Sequence, residues 1–150
     1  MPRKKTKSPA RKQAALRPTL RPIGVIRSTL KDRSTAPMQG YEGAPDAWLE
    51  INTAAVPGLE RLRAGDEIIV LTWLHRARRD VLKVYPRSNR RLGLHGVFAT
   101  RSPDRPNPIG LHRVTIREID GNRLLVGPME AIDGTPVIDI KPVLSKIGDA

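Results

Sequence analysis

The sequence predicts an all-β fold, a barrel or a sandwich. Three observations carry that reading. Seven or eight short apolar or β-branched runs follow one another at roughly even spacing. Almost no segment shows the 3.6-residue period of an amphipathic helix. Asp120-Gly121-Asn122 supplies a hairpin turn between two of the runs.

The elements follow in order. Pro22 to Ser28 reads as a short strand, and residues 29–45, polar and rich in Pro and Gly, as a long loop of the kind that is functional or disordered. Ala47 to Ile51 is a strand with Trp48, Leu49 and Ile51. Val56 to Leu62 is expected to form a helical turn, and Ala64-Gly65-Asp66 a tight turn. Glu67 to Leu74 is apolar enough for a central strand, and Val81 to Tyr85 makes a weak one. Gly96 to Thr100 is read as a strand leading into a proline-rich loop. Leu111 to Ile119 is β-branched at positions 114, 115, 116 and 119, and Arg123 to Val126 pairs back on it. Asp133-Gly134 opens another turn, and Val137 to Ile140 is the last strand.

Composition bounds the chemistry. The chain has 150 residues, enough for one domain with its own core. Aromatics make up only 3%, so Val, Ile and Leu must fill that core. The absence of cysteine excludes disulfides, thiolate nucleophiles and iron–sulfur clusters. With only His75, His95 and His112 as imidazoles, a structural metal site is not expected. No run approaches a membrane span, and no apolar signal segment follows the basic N-terminus, so a cytoplasmic protein is expected. No glycine-rich dinucleotide fingerprint or phosphate-binding loop is present.

The net charge of +12 is unevenly spread. Residues 1–22 hold eight basic side chains and no acid, which leaves 19 basic against 15 acidic residues elsewhere. Residues 1–21 are read as a disordered tail, either an electrostatic arm for a polyanion or a solubilising extension, and 22–147 as the folded domain. A second basic run, Arg76 to Arg91, carries seven cations and one acid. It can track a nucleic-acid backbone or protect a solvated strand edge.

Gly96-Val-Phe-Ala-Thr-Arg-Ser-Pro-Asp-Arg-Pro-Asn-Pro-Ile-Gly-Leu111 carries the most information. Each proline fixes φ and restrains the residue before it, so the loop is stiff before it meets any ligand. Four segments together, Pro22-Ile-Gly-Val-Ile-Arg-Ser28, Trp73-Leu-His75, this proline loop and Asp133-Gly-Thr-Pro-Val-Ile-Asp-Ile-Lys-Pro142, resemble the TsaA-like or TrmO family over about residues 22–144. The resemblance implies a small closed or partly open TsaA-like β-barrel, a homodimer, and S-adenosyl-L-methionine as cofactor. It implies N6 methylation of threonylcarbamoyl-adenosine beside the tRNA anticodon.

The same resemblance implies the ligand contacts. Pro37, Met38 and Gln39 stand where members have Pro-Arg-Gln; His75 and Arg76 follow the central strand; Arg101 lies in the Ala-Thr-Arg-Ser run; Leu111 closes the loop; and Met129, Glu130 and Ala131, in the turn before Asp133, are expected to supply backbone contacts. The sequence departs from the family pattern at Met38, at Val143 in place of tyrosine, and in ending at Ala150 where some members continue into a C-terminal domain.

Methyl transfer from a sulfonium rests on positioning. An exocyclic adenine amine is a poor nucleophile, so an acceptor beside it helps. Asp133 and His75 are the candidate catalytic groups, with Asp104 and Asp139 behind them. Both Asp104 and Asp133 fit a turn-forming role equally well, and His75 fits a structural one. One of Arg101 and Arg105 is expected to brace the loop through carbonyls and the other, Arg101, to meet a carboxylate. Arg78, Arg79, Arg87, Arg90, Arg91 and Arg105 are the candidate RNA contacts. His95 and His112 fall in no pattern that points to chemistry. Two other functions fit: methyl transfer to another RNA or an adenine-like acceptor, and a non-catalytic RNA-binding barrel.

Overall fold

The computed structural model describes residues 17–144. Residues 1–16, and with them most of the predicted tail, lie outside that range. The described residues form eight strands: β1 (Gly24–Arg27), β2 (Ala47–Ile51), β3 (Glu67–Trp73), β4 (Lys83–Val84), β5 (His95–Gly96), β6 (Ile109–Asp120), β7 (Arg123–Gly127) and β8 (Pro136–Pro142). Six of them close a barrel in the order β1-β2-β7-β6-β3-β8, with β8 returning to β1. Every pairing is antiparallel, and β4 and β5 form a separate ribbon.

Alternation builds the core. Along β2 the buried residues are Ala47, Leu49 and Ile51; along β7, Leu124 and Val126; along β6, Val114 and Ile116. These side chains meet Ile26, Ile68, Val70, Met129 and Val137 in one aliphatic cluster. Closure leaves no barrel edge to be protected. The β6–β7 hairpin turns at Gly121, whose φ of 60° suits glycine.

Two sequence expectations shift. The helical turn forms earlier, as a 3₁₀ segment over Thr53–Leu59. Gly96 to Thr100 is not a strand: only His95 and Gly96 pair, with Val84 and Lys83, and Val97–Ala99 form a 3₁₀ turn. The Thr100 N–H and hydroxyl both donate to the Val97 carbonyl, at 3.0 and 2.9 Å, and close that turn against extension. The proline loop therefore joins the β4–β5 ribbon to barrel strand β6, rather than two barrel strands.

The antiparallel order decides where a site can form. Loops 28–46, 74–108 and 128–135 all emerge at one end of the barrel, where Trp73 pairs with Ile109 and Arg27 with Trp48. The other end carries residues 52–66 and the tight β6–β7 turn. The three long connections thus meet over a single mouth.

Candidate active site

A cleft of about 1370 Å³ lies at that mouth. Its floor is barrel. Thr72, on the inner face of β3, and His112, on the inner face of β6, are 0% and 4% exposed. The Thr72 hydroxyl and His112 Nε2 are 2.7 Å apart, and His112 Nδ1 lies 2.5 Å from Glu130 Oε1. Gly110 packs over the first of these contacts. A Cβ there would stand 2.4 Å from Thr72 Oγ1 and 2.6 Å from His112 Nε2.

The proline loop forms one wall, and Arg105 shapes it from inside. Its Nε donates to the Ser102 carbonyl at 2.8 Å, and Nη2 donates to the Val97 and Thr100 carbonyls, both at 2.6 Å. The strap 76–79 ties the loop down from outside. Arg78 N–H donates to Asp104 Oδ1 at 2.8 Å, and Arg79 Nε to the Pro106 carbonyl at 2.8 Å while its guanidinium covers Trp73. Arg33 links the opposite loop to both, pairing with Asp104 at 3.2 Å and donating to the Arg76 carbonyl at 3.1 Å. Arg101 also lines the cleft, but no described residue pairs with its guanidinium.

The fold gathers Pro37, Met38, Gln39, His75, Arg76, Arg101, Leu111, Glu130 and Ala131 around this one cleft. Two of the residues expected there lie elsewhere. Met129 is fully buried in the core, and its N–H donates to the Pro45 carbonyl, so it has no donor to offer a ligand. Asp133 sits outside the cleft lining. Its Oδ1 accepts from the Ser28 N–H at 3.0 Å and its Oδ2 pairs with Lys31 at 3.0 Å. Of the six candidate RNA contacts, Arg87, Arg90 and Arg105 line the cleft, Arg87 paired with Glu42 and Arg90 over Tyr85. Arg78 and Arg79 lie on the strap, Arg91 is exposed beside Arg90, and Arg105 is turned into the loop.

The Ser28 amide, followed by Lys31, holds the Asp133 carboxyl below its ordinary pKa of 3.8. Because the folded pKa lies below the unfolded one, the stabilisation is complete above the unfolded value and disappears as pH falls through the folded value. Asp133→Asn is expected to lower stability at pH 7 by about 1 kcal/mol, and the two proteins should converge in acid, once the pH has fallen below the lowered folded-state pKa. Urea melts at pH 7 and in acid check it; a deficit that persists in acid would contradict the assignment. Partial burial, followed by the Arg76 charge, lowers the His75 pKa below 6.5 and keeps the ring neutral at pH 7.

His112 and Thr72 escape a reading by motif. The signal that exposes them is positional: each is a polar side chain at an inward position of a strand otherwise lined by Val, Ile and Gly. Among the described residues no group of His, Asp and Glu is arranged to hold a metal ion, and no helix is long and apolar enough to cross a membrane.

Residues 25–149 match the family model for the tRNA-methyltransferase O N-terminal domain. The chain belongs to the TrmO N-terminal domain family. A protein of Archaeoglobus fulgidus named as a probable S-adenosyl-L-methionine-binding protein is 49% identical over 128 residues, covering 85% of this chain and 34% of that protein. One of the same name from Methanothermobacter thermautotrophicus is 44% identical over 128 residues, covering 85% of this chain and 91% of that one. The crystal structure of TrmO from Pseudomonas aeruginosa superposes with a TM-score of 0.69 at 28% identity, over 91% of this chain and 61% of the solved one. This TrmO-family chain thus spans about a third of the Archaeoglobus relative and three fifths of the solved TrmO chain.

Proposed function

We propose that this protein is an S-adenosyl-L-methionine-dependent methyltransferase that methylates N6 of threonylcarbamoyl-adenosine beside the tRNA anticodon. One observation carries the reading. Four segments distant in sequence, 37–39, 75–76, 101–111 and 130–131, bring to a single cleft the residues that the family resemblance assigns to one cofactor. The cleft exceeds the roughly 300–1,000 Å³ of ordinary small-ligand pockets, which leaves room for an acceptor nucleoside beside the cofactor.

The residues present suit the group. Arg101 offers an unpaired guanidinium fork for its carboxylate. Leu111 and Met38, 45% and 52% exposed, offer apolar surface to an adenine face. Neutral His75 can accept a hydrogen bond from a ring substituent. The cofactor supplies an activated methyl group on sulfonium; the chain's own work is to bind, orient and exclude water. Asp133 serves this reading as a brace for loop 28–31.

The cations Arg78, Arg87, Arg90 and Arg91 border the same mouth and suit RNA phosphates. Exposed Leu82, Leu92, Leu94 and Phe98 around the β4–β5 ribbon favour a homodimer built on that ribbon.

Calorimetric titration of the full chain with S-adenosyl-L-methionine is expected to saturate. Arg101→Ala should weaken binding at least about tenfold, near 1.4 kcal/mol, without moving the melting temperature. Nucleoside mass spectrometry of tRNA from a deletion strain is expected to lose methylated threonylcarbamoyl-adenosine. An unchanged nucleoside pool overturns the acceptor; wild-type protein that binds no cofactor overturns the whole reading.

A further inference from the structure

Two carboxylates line the cleft among the described residues, Asp104 and Glu130. They differ in company. Asp104 Oδ1 takes a backbone N–H at 2.8 Å and pairs with the Arg33 guanidinium at 3.2 Å. Its negative charge is already met. Glu130 meets only an imidazole: Oε1 lies 2.5 Å from His112 Nδ1, and no described group donates to Oε2. The Glu130 side chain is 15% exposed and that of His112 3%.

The orientation of the network follows from what each atom can do. An ionised carboxylate only accepts, so Nδ1 carries the hydrogen. In the neutral ring Nε2 is then the acceptor, and the Thr72 hydroxyl donates to it at 2.7 Å. Hydroxyl, imidazole and carboxylate form one polarised chain that runs from the buried barrel floor to the cleft. Gly40 keeps the far end open. A Cβ there would stand 3.1 Å from Glu130 Oε2 and 3.0 Å from the Pro128 carbonyl. A side chain at position 40 would crowd the one carboxylate oxygen that has no partner.

Resting on the methyltransferase reading above, we propose that Glu130 is the catalytic acceptor for the proton of the methylated nitrogen. His112 and Thr72 are positioning residues that hold its carboxylate. As the nitrogen lone pair forms the new N–C bond, the C–S bond breaks and its electron pair returns to sulfur, discharging the sulfonium. The nitrogen, now positive, passes its single hydrogen as a proton to Oε2. The proton returns to water when the product leaves. Besides Glu130, the charged and titratable groups that line the cleft are His112 on β6; His75, Arg76, Tyr85, Arg87, Arg90, His95, Arg101, Asp104 and Arg105 on the ribbon connection; and Arg33 and Tyr41 on loop 28–46.

The test uses the full chain, S-adenosyl-L-methionine, and tRNA bearing threonylcarbamoyl-adenosine. Glu130→Gln keeps a hydrogen-bond acceptor but cannot take a proton. The substitution leaves the backbone of residues 130–131, which the resemblance assigns to the cofactor, in place, so S-adenosyl-L-methionine should bind within about threefold of wild type by calorimetry, while single-turnover transfer slows at least about 100-fold. Glu130→Asp should keep roughly a tenth of the rate and the same requirement for a deprotonated group. His112→Ala should lose about tenfold, and His112→Asn, which returns an N–H donor near Nδ1, should recover most of it.

Glu130→Gln at the wild-type rate overturns the proposal. So does loss of cofactor affinity with a preserved saturating rate, which would make Glu130 a ligand-binding carboxylate. Equal rates for His112→Ala and His112→Asn would remove the positioning role. Should Glu130→Gln fail to fold, Glu130→Asp and the wild-type pH–rate profile decide: a rate flat from about pH 4 to 8 overturns the proton acceptor. Wild-type protein that binds no cofactor fails the underlying reading as well, whereas wild type that binds and transfers alongside an equally fast Glu130→Gln fails this proposal alone.

Discussion

Gly110→Ala is expected to destabilise the protein by about 2–3 kcal/mol, close to 5–10 °C in melting temperature. Gly110 pairs with Thr72 across the β3–β6 ladder and is buried. Its backbone is ordinary strand, so alanine meets no conformational barrier there, and the lower entropy of the unfolded alanine chain even offsets about 0.5 kcal/mol. The cost is steric. The new methyl would lie 2.4 Å from Thr72 Oγ1 and 2.6 Å from His112 Nε2, and Leu74 Cδ2 closes the remaining side at 3.1 Å. The strands cannot part without breaking the longest ladder of the barrel, so the hydroxyl and the ring must separate. Two buried polar atoms then lose their partner, at about 1–3 kcal/mol for each group left unpaired.

A double-mutant cycle makes the mechanism measurable. In a Thr72→Ala background the nearest clashing atom is gone, and the Gly110→Ala penalty should shrink by about 1 kcal/mol or more. Strictly additive penalties would show that the methyl is accommodated by the backbone, and would dissociate Gly110 from the Thr72–His112 pair. Cofactor titration of the single variant supplies a second readout, since a displaced His112 also releases Glu130 at the cleft floor.

What could be read from the sequence depended on whether the signal was local. The β2 strand appears over Ala47–Ile51, the range its apolar alternation predicts, and β3 ends one residue early at Trp73. Asp120-Gly121-Asn122 makes its hairpin because a two-residue turn is a property of those residues alone. Val97 to Ala99 misleads for the opposite reason. Three apolar residues look like a strand, yet Thr100 closes a turn on Val97, and the outcome is one buried valine beside a phenylalanine 79% exposed. No local pattern carried closure of the barrel, which entered only through the family resemblance, because the β2–β7 and β3–β8 pairings join segments 65 or more residues apart. The site shows the same division. The proline loop announces itself by composition. His112 does not: a lone histidine between Leu111 and Arg113 gains meaning only when β6 turns it inward toward Thr72 and Glu130.

Arg105→Ala should separate loop bracing from ligand binding, which two arginines four residues apart leave entangled in the sequence. Arg105 donates to three carbonyls, of which that of Val97 is shared with Thr100, and its own N–H donates to the Arg78 carbonyl at 3.0 Å. Charge-assisted bonds of this kind contribute about 1.5–3 kcal/mol, which sets the scale of the loss. The loss should fall on the loop more than on the barrel, since the ribbon and proline loop lie outside the closed sheet and can open by themselves. Amide exchange at Thr100 and Arg105 is therefore expected to quicken about 10- to 100-fold, while Val70 and Val114 in the barrel keep their protection. Arg105→Lys should not rescue it, because a single ammonium cannot reproduce the planar fork across the Val97, Thr100 and Ser102 carbonyls. Cofactor affinity should fall as well, about tenfold, through a wall that has lost its shape. Arg101→Ala gives the contrast: a similar loss of affinity with exchange unchanged, since its guanidinium holds nothing in the loop. If both variants leave exchange untouched, the prolines alone fix the wall and Arg105 is redundant. If both accelerate it, Arg101 belongs to the scaffold and the carboxylate contact assigned to it must lie elsewhere in the cleft.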